Sequence, residues 1–245
     1  MGILMLDNTN ETWNFLWEKH LQSYLATTPR TGIFIKNIFH KKITSIIEIA
    51  CGSSRDSIFL ANMGYQVVAT DCNEYIIQEL KKNNSNKNLV YQCANAYHLP
   101  YKDRFFDLVF HNGFFVCFNN DKMICQLLVE QERISKKYIL ILVHNALNKK
   151  LKQIFIEKAK FDPLYDVRFF TPDELNTIIK KSKIKAKKVI IKKFGGPMDL
   201  LNKKYIYSKI PNFLFPIIEL IIPSLYQFQK WKHTERIACL IEIDN

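Results

Sequence analysis

The sequence predicts an α/β protein with a doubly wound, mainly parallel seven-stranded sheet. Three observations predict it. Short β-branched runs alternate with helical patterns along the chain, the first run closes on a tight turn that leads into a helix, and 245 residues with 48% hydrophobic content are enough for one core of this kind. In such a sheet the crossovers are right-handed and ligands bind beyond the C-terminal strand ends, at the point where strand order reverses.

Each element follows from its pattern. Residues 10–25 place Trp13, Leu16, Trp17, Leu21, Tyr24 and Leu25 at helical spacing, and Pro29 stops that helix; a short helix over 31–40 comes next. SIIEIA (45–50) reads as the first strand, closed by Cys51 and Gly52, with RDSIFLANM (55–63) as its helix and Gly64 as the turn. QVVATD (66–71), LVYQCANA (89–96), FFDLVFHNG (105–113) and KKYILILVHNA (136–146) are the next strands, with helices over 73–83 and 121–135 between them. Thr171 as N-cap, Pro172 and Glu174 form a capping-box start for a helix to about Lys181. KAKKVIIKKF (185–194) and RIACLIEID (236–244) complete the seven strands. The apolar segment 211–232 reads as broken by Pro216 and Pro223. The expected organisation is an N-terminal helical cap over 1–42 and one domain over 43–245, the latter with a lid at 197–232.

Composition narrows the function classes. A net charge of +12 suits a nucleic acid, an anionic membrane or an acidic substrate, but the lysines gather at 149–160 and 180–193, where they read as solvated faces of a helix and a strand. Nucleic acid is disfavoured further, because no Asn-Pro-Pro-Tyr or Asp-Pro-Pro-Tyr run is present for a flipped base amine. Six scattered cysteines without a Cys-x-x-Cys pair, and an N-terminus without a basic leader, point to a cytoplasmic protein. No spaced His, Cys and carboxylate set predicts a metal site.

The chemistry concentrates at the strand ends. After the first strand, Glu48 precedes the turn Ala50-Cys51-Gly52-Ser53, whose small residues let a ligand approach the backbone and the free N–H groups of the following helix. A dinucleotide site wants a third glycine at position 55, where Arg55 stands. Asp71 ends the second strand about 20 residues after Gly52, the place of an acid that accepts from ribose hydroxyls. Its other reading is a helix cap or turn residue; that of Glu48 is an internal ion pair. A carboxylate before the turn and the missing glycine favour a nucleoside with a cationic amino-acid tail over NAD.

These residues carry a resemblance. IIEIACGSSRDSIFLANMGYQVVATDCNEYII is similar to motif I and the following acidic motif of class I S-adenosylmethionine (SAM)-dependent methyltransferases; CANAYHLPYKDRFFDLVFHNGFF, EQERISKKYILILVHNALN and FFTPDELNTIIKKS extend the likeness over 43–192. The resemblance implies that SAM is held by Glu48, Ala50, Gly52 and Ser53 at its methionine end, by Asp71 at the ribose, and by Cys72, Asn95, Ala96 and His111 along the rest of the cofactor. Three positions depart from the family pattern: Ala50 and Ser54 replace glycines, and Asn95 replaces an acid.

Methyl transfer needs an aligned acceptor and, where a proton must leave, a base. His111 and His144, at the ends of the fourth and fifth strands, are the candidate catalytic residues, against a packing role for each; His98 reads as structural. Phe114, Phe115 and Phe118 either line an acceptor pocket or pack the sheet, and Trp13, Trp17 and Tyr24 either cover the cofactor or form an ordinary amphipathic face. The expected partner is a small-molecule methyl acceptor with O, N or C as the receiving atom. The alternatives are a SAM-binding protein without turnover and a nucleic-acid methyltransferase. Segment 211–232 is a lid, a dimer surface or a peripheral membrane contact.

Overall fold

The computed structural model describes residues 10–200 and 209–244; the parts of the expected cap and lid at 1–9 and 201–208 lie outside them. Seven strands, β1 (Ser45–Ile49), β2 (Gln66–Asp71), β3 (Leu89–Cys93), β4 (Phe106–Asn112), β5 (Ser135–His144), β6 (Ala186–Phe194) and β7 (Arg236–Ile243), form one sheet in the order β3-β2-β1-β4-β5-β7-β6. β7 alone runs antiparallel, inserted between β5 and β6. The order reverses between β1 and β4, so a crevice opens beyond their C-terminal ends.

Helices cover both faces. α1 (Asn10–Leu25), α2 (Arg30–Phe39), α3 (Arg55–Asn62) and α4 (Glu74–Asn83) lie on one side; α5 (Asp121–Ile134) and α7 (Pro172–Ser182) lie on the other, with α6 (Lys149–Ala159) between β5 and α7 in the chain. The core is split accordingly. Ile46, Leu108, Phe110, Leu140, Leu142 and Ala238 join α2, α3 and α4, while Ile47, Ile49, Val109, Ile139, Ile141, Val143 and Ile237 join α5 and α7. The period-2 alternation of a strand thus assigns every strand residue to a face.

The local signals act as the sequence suggests. Asn73 caps α4 by accepting from Ile76 N at 2.9 Å. Thr171 Oγ1 accepts from Glu174 N at 3.1 Å while Glu174 Oε2 accepts from Thr171 N at 3.3 Å, the reciprocal pair of a capping box. Pro29 sits at the N-cap of α2 rather than inside it.

One expectation is corrected. Segment 211–232 is not broken at its second proline: α8 (Phe215–Phe228) starts with Pro216 in its first turn and runs through Pro223. Proline lacks the N–H that would satisfy the carbonyl four residues back, here Glu219. The side-chain amide of Asn37 in α2 donates to that carbonyl instead, and Lys36 pairs with the Glu219 carboxylate at 3.0 Å. The helix is docked on α2 at the point where its own ladder is interrupted. Its inner face presents Ile222 and Tyr226 to the core, and its outer face leaves Ile217, Leu220, Ile221 and Phe228 exposed. No helix among the described residues is long and apolar enough to cross a membrane.

Candidate active site

The turn after β1 is the floor of the site. Ala50, Gly52 and Ser54 all have left-handed backbones, with φ of 51°, 50° and 57°. This alternation turns the chain sharply from strand to helix, a path natural to glycine, and the N–H groups of Cys51, Gly52 and Ser54 are taken up by Thr70, Asp71 and Cys51. At Ala50 and Ser54 it costs roughly 1 kcal/mol each, because Cβ crowds the carbonyl. Gly52 has a second reason to be glycine: a Cβ there would lie 2.5 Å from the Trp17 ring of α1. The N-terminal helix therefore rests directly on the turn.

Asp71 ties the turn to β2. One carboxylate oxygen accepts from Gly52 N and the other from Asn73 N, both at 3.0 Å. The turn role weighed for Asp71 thus coexists with its place in the cavity wall. Burial pushes its pKa up, opposed by these backbone donors.

Glu48 lies on the sheet face of Ile46, under α3, where Ser57 Oγ donates to it at 2.5 Å. Burial, reinforced by the nearby Asp56 carboxylate, pushes its pKa up to about 8. Asp56 accepts from Gly32 N at 2.9 Å and from the Asn112 amide at 3.3 Å, and sits 3.9 Å from Arg55 Nε. The sequence reading passed over Asp56: it stands in the first turn of a helix, where an acid normally just complements the dipole. Only the fold turns it toward Glu48.

Ala50, Cys51, Gly52 and Ser53 border a cavity of about 340 Å³ that continues past Cys72, Ala94, Asn95, Ala96 and Tyr97. Asn95 Oδ1 accepts from Tyr97 N at 3.0 Å within its own turn; an amide oxygen has a second lone pair for a ligand donor. Trp13, Trp17 and Tyr24 of α1 form the opposite wall. Trp13 and Trp17 stack at 6.4 Å, and Trp17 meets Tyr24 edge-on at 5.9 Å. Arg55 holds this roof through Thr27 Oγ1 at 2.6 Å and lies over the Tyr24 ring at 5.5 Å.

The two histidines separate. By strand alternation Asn112, His144 and Arg236 share the face of Glu48, and all four line the cavity. His111 points to the other face, fully buried against Phe115 at 4.1 Å and Phe114 at 5.7 Å, and is absent from the cavity wall. Neither of its ring nitrogens has a hydrogen-bond partner among the described residues, and burial lowers its pKa to about 3. His144 stacks on Phe169 at 5.1 Å and touches Phe155 at 4.7 Å. Burial, then Arg236, hold its pKa well below the usual histidine value. Phe114 and Phe118 reach the cavity whereas Phe115 packs the core; no described residue of 197–230 lines it.

Residues 47–138 match the family model of a methyltransferase domain. That segment is a match to a methyltransferase domain, and the sheet has the class I methyltransferase fold. No curated protein matches the sequence. Among solved structures, the methyltransferase fold is shared with a Thermotoga maritima SAM-dependent methyltransferase described as a possible histamine N-methyltransferase (16% identity, 94% of this chain and 99% of that one, TM-score 0.61). An Archaeoglobus fulgidus SAM-dependent methyltransferase is similar too (16%, 93% and 98%, 0.59), as is a plantazolicin methyltransferase in complex with SAH (15%, 96% and 95%, 0.57).

The residues of the cavity fit SAM, the cofactor that the fold implies. Glu48 and Asp56 are buried carboxylates whose mutual repulsion a cationic amino-acid tail relieves. Asp71 borders the cavity as a hydrogen-bond acceptor, and the small side chains of Ala94 and Ala96 line it with Cys72 and Asn95.

Proposed function

We propose that the chain transfers the methyl group of SAM to an O, N or C atom of a small molecule held in the same cavity. The observation that carries the reading is the shared face: Glu48 and Asn112 at the cofactor end, and His144 and Arg236 beyond them, border one cavity roofed by Trp13, Trp17 and Tyr24. A roof of three rings over a cavity of this size suits a small acceptor and excludes water from both reactants.

When bound, SAM supplies an electrophilic methyl on a sulfonium. The chain's own residues do the rest. Glu48, Gly52 and Ser53 would hold the amino-acid tail, Asp71 the ribose, and Cys72, Asn95 and Ala96 the base. His144, neutral throughout the physiological range because of its buried setting, is the residue placed to take a proton from the acceptor. Burying the acceptor among Phe114, Phe118 and Phe155 fixes its approach, which is the main contribution a protein makes to an in-line displacement. All six cysteines are unpaired, which supports a reducing, cytoplasmic setting.

Incubation with methyl-labelled SAM and a cell extract split into small-molecule, protein and nucleic-acid fractions tests the proposal. Label is expected in the small-molecule fraction. Label confined to macromolecules, or no binding of SAM by calorimetry, would overturn it.

A further inference from the structure

Arg236, the first residue of β7, is a cation in the cavity wall whose carboxylate partner, Glu235, is shared with Arg30. Its side chain is 17% exposed. One terminal nitrogen donates to Asn112 Oδ1, while Nε has no hydrogen-bond partner among the described residues and stands 3.6 Å from Glu235. Glu235 is already committed: Arg30 of α2 donates to both of its oxygens, at 3.0 and 2.9 Å. Arg30 also takes up Asp199, and Asp56 is engaged by Gly32, Asn112 and Arg55. Three guanidiniums, Arg30, Arg55 and Arg236, crowd this end of the cavity, and Arg236 has to share Glu235 with Arg30, which holds it more closely. Burial and the closeness of Arg30 and Arg55 accordingly hold the pKa of Arg236 below the ordinary arginine value in spite of Glu235.

A buried guanidinium left short of counter-charge is a strong seat for an anion, because the desolvation is already incurred by the fold and the fork geometry matches a carboxylate or phosphate. The surroundings describe the rest of the ligand. His144 pairs with Arg236 across the β5–β7 ladder, Phe155 lies on His144, and Tyr165 meets Phe155 edge-on at 5.2 Å. Tyr165, Phe155 and Tyr24 all face the cavity. An apolar aromatic wall beside a cation that shares its counter-charge fits a small acid with a planar or apolar body.

We propose that Arg236 sets acceptor specificity by binding an anionic group, carboxylate or phosphate, of a small acceptor whose body lies against Phe155 and Tyr165. The anion is a handle rather than the methylated atom, and the methylated atom faces His144. This rests on the methyltransferase reading of the same cavity.

The test is calorimetry on protein saturated with SAH, titrated with phenylacetate, its neutral amide phenylacetamide, and phenyl phosphate. At least one anion is expected to bind 10-fold or more tighter than the amide. Arg236→Met should erase that preference, by a loss on the order of 100-fold for the anion, and Arg236→Lys should keep part of it. SAH affinity, measured first, should stay within about threefold in both variants. Equal binding of acid and amide overturns the proposal. So does a loss of SAH affinity in Arg236→Met, which would assign the guanidinium to the cofactor. Failure of the wild-type chain to bind SAH would instead sink the methyltransferase reading. Should Arg236→Met not fold, the wild-type comparison of acid with amide and the Arg236→Lys variant decide. The ratio of phenyl phosphate to phenylacetate tells which anion the site prefers.

Discussion

The two ends of the cavity are built in opposite ways. The end proposed for the cofactor comes from one continuous stretch, residues 48–97, in which the two carboxylates are set by their neighbours: Asp71 is clamped by Gly52 N and Asn73 N, and Glu48 by Ser57. The end proposed for the acceptor is gathered from Tyr24, His144, Phe155, Tyr165 and Arg236, and His144 Nδ1 and Arg236 Nε lack hydrogen-bond partners among the described residues. Carboxylates held by local backbone and hydroxyl donors suit a fixed ligand, whereas His144 Nδ1 and Arg236 Nε are left for whatever binds there to complete.

Breaking the cofactor end should have the largest effect. Asp71→Ala removes the ribose acceptor and the clamp on the turn together, so SAH affinity should fall by about 100-fold or more in calorimetry, two charge-assisted bonds being lost. An unchanged affinity would remove Asp71 from the cofactor site.

The histidine pair sharpens the contrast. His144→Phe should lower kcat on the order of 100-fold with SAH affinity unchanged. His111→Phe should leave kcat alone and raise stability by about 1 kcal/mol, because two buried nitrogens without partners disappear. A kcat loss in His111→Phe would reverse the assignment.

Proton linkage separates the ends a third way. Glu48 titrates near pH 8 in the free protein, so binding a cationic tail should expel its proton. SAM affinity should climb by up to about 10-fold per pH unit up to pH 8 and then level, with proton release visible in buffers of different ionisation heat. With a folded pKa above the unfolded one, the ligand-free protein binds the extra proton only when folded. This contribution to stability is therefore complete below pH 4.5 and is lost as pH rises through 8. The methyl-transfer step should show no limb near pH 6.5, since His144 is held neutral well below that value.

The smallest effect is in the turn. Ala50→Gly and Ser54→Gly should each stabilise by about 0.5–1 kcal/mol, relief of the left-handed backbone being offset in part by unfolded-state entropy. Thermal melts would show about 2–4 °C per kcal/mol; a loss of stability would mean that the side chains compensate for the strain.

What the sequence reveals follows the same division. Strand and helix positions emerge because alternating apolar runs and caps such as Asn73 and Thr171 act locally, and Glu48, Gly52 and Asp71 emerge because their spacing is carried by one βαβ unit. His111 and His144 look alike because FDLVFHN and YILILVH are apolar on both faces, as strands buried on two sides must be. Without alternation in the letters, the face of each histidine is hidden. Arg236 and Asp56 were missed for a related reason: their partners lie across the fold, at Asn112 for both and at Gly32 for Asp56. Pro223 misled because its compensation comes from Asn37, on another helix.

The Arg30–Glu235 pair spans 205 positions of the chain. During synthesis the N-terminal helices emerge first, yet the ionic latch that fixes them to the sheet must wait until β7 has left the ribosome. The sheet from β1 to β5 can assemble while elongation continues, whereas α2 is latched in the last moments. A nascent chain stopped before residue 235 would carry the turn after β1 and its aromatic cover with Arg30 of α2 still unlatched.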